Sequence, residues 1–143
     1  MPQRIAAVTL VVPDYDEAIS YFCGVLGFEL AEDTSLGAGK RWVVVRPGGA
    51  AGSGLVLARA GSHEQRERIG DQAGGRVFLF LQTDDFARDH ARYVVAGVRF
   101  VEAPRTERYG TVAVFEDAFG NRWDRIEPAE PAAAQPSSFS SSS

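Results

Sequence analysis

The chain repeats itself once, and this repeat restricts the folds open to it more than any other feature. Asp14, Tyr15 and Phe22 recur 71 residues later as Asp85, Phe86 and Tyr93, whereas Gly27 recurs only 70 residues later as Gly97. One residue therefore slips within the helix. In the first copy Asp14 stands where a helix-start carboxylate accepts from free backbone N–H groups, with Glu17 placed for a capping box. Tyr15, Ala18, Ile19, Phe22 and Leu26 follow as one apolar stripe at helical spacing, and Gly27 suits a left-handed C-cap. The second copy caps on Asp85, sets Phe86, His90, Tyr93 and Val94 on one face, and closes on Gly97.

Each helix follows a strand ("IAAVTLVV", "VFLFLQ") and precedes extended segments. "KRWVVVRPGG" then "GLVLARA" in the first copy mirrors "YGTVAVFEDAFGN" then "RWDRIEP" in the second. Each copy reads βαβββ. Neither closes a core alone, so two tandem modules in one α+β domain are expected, with eight strands and two main helices. The domain spans 1–128: module one about 4–60, a connector 61–75 and module two 76–128. Ser62 with Gln65 caps a short connector helix, and Asp117 to Gly120, "DAFG", suits a turn. Residues 129–143 are low-complexity, Pro/Ser-rich and expected to be disordered.

Several functions fall away on composition. A net charge of −4, with arginines interleaved among acids, gives no basic stripe for nucleic acid. Cys23 is the single cysteine and reads as a buried, inert thiol. No apolar run is long enough to span a membrane, and a cytoplasmic protein is expected. His63 reads as a surface residue of the connector and His90 as a packed helix residue. Neither stands by a serine or cysteine placed for nucleophilic attack. The "GAGK" and "PGGAAGSG" runs lead into strands and read as turns rather than phosphate loops.

Two segments, "VTLVVPDYDEAISYFCGVLGFEL" and "YGTVAVFEDAFGNRWDRIEP", resemble the vicinal oxygen chelate superfamily of glyoxalases, bleomycin-resistance proteins, fosfomycin-resistance enzymes and extradiol dioxygenases. The resemblance runs from Ile5 to Pro128. It implies a curved, mixed eight-stranded sheet with a cleft, and a homodimer. Metal-using members carry ligands at four positions, which fall here on Ala7, Val56, Phe78 (or Val77 in the slipped register) and Asp124. Three of the four lack any donor atom, so no metal and no cofactor are expected.

If Ala7 faces the cleft, strand alternation places Thr9 and Val11 beside it and packs Val8, Leu10 and Val12 on the helix. Phe78, Phe80 and Gln82 share that face in module two, with Val56, Ala58, Asp124 and Ile126 from the last strands. Trp42 and Tyr109 are candidate walls. The expected ligand-binding set is Thr9, Trp42, Val56, Phe78, Phe80, Tyr109 and Asp124, with no catalytic residue assigned. A carboxylate among apolar side chains needs a partner, and Arg46 or another arginine is the expected one for Asp124. The expected function is binding of a hydrophobic or aromatic small molecule. The alternatives are a metal-dependent glyoxalase, lyase or dioxygenase recruiting metal through Asp124, and a partner-binding scaffold whose cleft has filled in.

Overall fold

A computed structural model describes residues 2–49 and 52–129, so the expected disordered tail lies, from 130 onward, outside the described residues. The chain divides into two compact units, Met1–Gly75 with Ala118–Asn121, and Arg76–Asp117 with Arg122–Ser143. The connector belongs to the first unit.

In the first unit, β1 (Ala7–Val12) leads into α1 (Tyr15–Ile19), followed by β2 (Glu29–Gly37), β3 (Lys40–Arg46), β4 (Gly54–Arg59) and α2 (His63–Arg68). The strands form a mixed sheet in the order β1-β4-β3-β2, with β1 and β4 parallel. In the second unit come β5 (Val77–Gln82), α3 (Phe86–Val95), β6 (Arg99–Phe100), β7 (Arg105–Glu107), β8 (Gly110–Glu116) and β9 (Arg122–Pro128). Their order is β5-β9-β8-β6, with β7 also pairing β8 and with β5 and β9 parallel. The α+β class and the βαβββ repeat are present. The strands group into a four-stranded and a five-stranded sheet, and β7 is a strand beyond the expected eight.

The helix caps follow directly from local sequence. Asp14 Oδ2 accepts from the Glu17 N–H at 2.8 Å, Asp85 Oδ1 from Arg88 at 3.1 Å and Ser62 Oγ from Gln65 at 3.1 Å. The residue that slips between the copies has a physical form. After Ile19 the first helix widens into a π-helical turn, Ser20–Val25. The Leu26 N–H there reaches the carbonyl of Tyr21, and Phe28 reaches back to Phe22. In the second module the corresponding Val98 N–H reaches Tyr93, one residue less. The wider turn takes up the extra residue while both helices keep their buried stripe in register.

In the first unit the core lies between helix and sheet: Tyr15, Ala18, Phe22 and Leu26 are buried with Leu10, Val12, Val43, Val45, Leu55 and Leu57. In the second, Phe86 and Tyr93 are buried with Leu81, Ala113, Phe115 and Trp123. The face expected for α3 needs one correction. Val94 is 53% exposed, and Asp89 is buried in its place. Cys23 is half-buried rather than fully buried, and its surroundings push the thiol pKa up.

Candidate functional site

The two sheets carry the expected site residues at equivalent places. On β4, Val56 is in register with Thr9 of β1 and with Val44 of β3. On β9, Asp124 is in register with Phe80 of β5 and with Val114 of β8. Each position is thus the middle of a three-strand row. Paired residues share a face, so Thr9, Val44 and Val56 lie together on the face of the first sheet opposite the buried Leu10, Leu55 and Leu57. Trp42, two residues before Val44, belongs to the same face and is 40% exposed. Thr9 is exposed and Val56 half-buried.

On the second sheet the row continues through Gln82, Ile126 and Val112. Phe80 is 68% exposed and Phe78 half-buried, so neither is simply core filling. Tyr109, immediately before β8, is 54% exposed. Its carbonyl accepts from Ala129 at 2.9 Å, which holds the loop to the end of β9. Phe80, Tyr109 and Asp124 therefore belong to one unit. Thr9, Trp42 and Val56 belong to the other.

Asp124 is the unusual member. It is 7% exposed, and its Oδ1 is buried with no hydrogen-bond partner. Arg46, the expected partner, is a residue of β3 in the other unit, and among the described residues no arginine bonds the Asp124 Oδ1. Burial raises its pKa, Arg105 opposes that rise through space, and Glu102 adds to it. Arg105 is already committed elsewhere. Its guanidinium pairs with Glu107 and reaches Glu102 at 3.4 Å.

Arg105 and Glu102 were not singled out from sequence. They gather here because the chain leaves β8 between β6 and β7, after Val101 has paired with Val114. Glu102 fills the gap in the ladder, accepting from the Val114 N–H at 3.0 Å. Arg105 then pairs with Val112 on the row next to Asp124. The only sequence signal was the cluster "EAPRTERY" itself.

A second polar group lies under α3. Asp89 accepts from Thr83, from Arg88 at 2.9 Å and from Arg125 at 3.0 Å. Arg125 also lies over the Tyr93 ring, 4.9 Å from its centre. The hydrogen bond from Arg88 leads the effects that lower the Asp89 pKa to about 2. Asp89 and Arg125 anchor helix to sheet, on the face away from Asp124. His90 packs between Phe86 and Phe100, with ring centres 5.4 and 4.4 Å away, and His63 is a surface residue paired with Glu67 at 3.1 Å.

The positions that the resemblance assigns to metal ligands, Ala7, Val56, Phe78 (or Val77) and Asp124, include a single carboxylate, and among the described residues no group of three or more His, Cys, Asp or Glu could hold a metal ion. That donor set does not fit a divalent metal, which takes at least three protein donors when firmly held. Among the described residues no helix is long and apolar enough to cross a membrane.

Two βαβββ modules with equivalent central rows define a known class. Residues 4–124 match the Glyoxalase/Bleomycin resistance protein/Dioxygenase superfamily, and the chain belongs to it. An uncharacterized protein of Shewanella frigidimarina is 55% identical over 128 residues, covering 89% of this chain and 95% of its own. YetH of Bacillus subtilis, also uncharacterized, is 27% identical over 124 residues, 85% of this chain and 95% of its own. Among solved structures, UcmS2 superposes with a TM-score of 0.76 at 29% identity, over 88% of this chain and 98% of its own. TnmS3, an antibiotic binding protein from Streptomyces sp. CB03234, superposes with a TM-score of 0.72 at 28% identity, over 90% of this chain and 98% of its own.

Proposed function

We propose that this chain is a cytoplasmic, homodimeric small-molecule-binding protein that takes up a hydrophobic or aromatic compound without a resident metal. The observation that carries the reading is the pairing of Phe80, 68% exposed, with Asp124, a carboxylate whose Oδ1 is buried and unpartnered. Ligand sites commonly combine exposed aromatic surface with a few fixed polar groups. Most buried polar atoms are hydrogen-bonded, so an unbonded carboxylate oxygen beside an exposed ring is a place where a ligand's donor would be accommodated. The likeness to TnmS3, an antibiotic binding protein, supports the same reading.

The test is a ligand-observed NMR screen of a soluble aromatic fragment library, run in excess EDTA. Hits that Phe80→Ala or Trp42→Ala weakens support the reading. A screen with no hits, or hits indifferent to both variants, contradicts it.

A further inference from the structure

The charges around Asp124 narrow the class of ligand. Asp124, Glu102 and Glu107 are three carboxylates, and the Arg105 guanidinium is set among them. Arg105 is spoken for by both glutamates, which explains why it acts on Asp124 without bonding it. Glu102 is fixed by the Val114 N–H and cannot turn away. The result is a local surplus of negative charge beside a buried acceptor that lacks a donor. Two exposed aromatic rings, Phe80 and Tyr109, belong to the same unit. Rings and carboxylates together suit a cation with a hydrophobic body, since the ring faces attract the cation and a carboxylate accepts its N–H. An anionic ligand would meet like charge, and a purely apolar one would leave the acceptor unpaired.

We infer that Asp124 is a specificity-determining residue selecting an aromatic ligand that bears a protonated amine, whose N–H donates to the unpartnered Oδ1. This rests on the small-molecule-binding reading above and deepens it. The equivalent position of the first sheet, Val56, carries no such group, so the selection belongs to the second unit.

The experiment titrates ¹⁵N-labelled full-length protein with 1-naphthylmethylamine and, separately, with its neutral counterpart 1-naphthalenemethanol, following amide shifts around Phe80, Tyr109, Val114 and Asp124. The amine is expected to bind about tenfold more tightly than the alcohol. Asp124→Asn and Asp124→Val should both abolish that preference, by bringing the amine's affinity down to that of the alcohol. Two variants guard against a folding defect in either one, and circular dichroism reports the fold of each. Equal binding of the two compounds, or a preference that survives both substitutions, overturns the inference alone. Binding of neither compound at these residues overturns the inference and the proposed function together.

Discussion

Asp124 of β9 stands in register with Phe80 of β5, as Val56 of β4 stands in register with Thr9 of β1. The repeat thus places a buried carboxylate in one module where the other has a valine. A buried, unpartnered oxygen costs stability, and the proposed ligand contact accounts for its presence.

Replacing Asp124 by the residue of the equivalent position makes that cost measurable. Asp124→Val is expected to stabilise the protein by about 1–2 kcal/mol, because an unsatisfied acceptor is exchanged for an apolar side chain. Differential scanning calorimetry should show a midpoint higher by roughly 5 °C. A lower midpoint would mean that Asp124 serves the fold.

Phe80→Ala separates binding from stability in the opposite sense. The ring is 68% exposed, so its loss should shift unfolding free energy by no more than about 0.5 kcal/mol. Ligand affinity should fall by roughly tenfold if the ring is a contact surface. Urea denaturation beside a binding titration checks both.

The pair under α3 behaves differently. Asp89→Ala would leave Arg125, whose side chain is 8% exposed, without its carboxylate, and a loss of about 3 kcal/mol is expected. The pH dependence follows from the lowered Asp89 pKa of about 2. A depressed carboxylate contributes stability that is present in full above its unfolded pKa and fades as pH falls through the folded value. On the order of 1–2 kcal/mol should therefore be lost between about pH 4 and pH 2. Urea unfolding at stepped pH should show that loss in the wild type and a smaller one in Asp89→Asn.

Gly110→Ala tests the strand that follows Tyr109. Gly110 has φ +152°, and an added Cβ would lie 2.2 Å from the Glu127 carbonyl oxygen. The β8–β9 ladder must shift to admit it, at about 2 kcal/mol or more. Thermal unfolding measures the loss, and amide shifts at Tyr109 and Ala129 should move with it.

What the sequence made legible was local or periodic. Asp14 and Asp85 cap their helices because capping needs only the next few residues, and Thr9 pairs with Val56 and Phe80 with Asp124 on shared faces because strand alternation is fixed. The one-residue offset between Gly27 and Gly97 was visible as a count. Its form, a π-helical turn, depends on hydrogen bonding that a count does not contain. What stayed hidden was set at a distance. Asp89 is buried, and Val94 exposed, because the partner of Asp89 is Arg125, 36 residues further along. Asp124 lacks the arginine expected for it because Arg105 is held by Glu102 and Glu107, and that clustering depends on how the chain leaves β8 between β6 and β7.

Homodimer formation is open to direct measurement. Multi-angle light scattering should give twice the 15.5 kDa chain mass. A mass of one chain at micromolar concentration would remove the dimer from the account.

The most direct test of metal-free binding is calorimetric titration of the wild-type protein with 1-naphthylmethylamine, before and after extensive treatment with EDTA. The account predicts the same affinity in both. Binding that disappears with the chelator and returns on adding back zinc, manganese, nickel or iron would contradict it, and would make Asp124 a metal ligand.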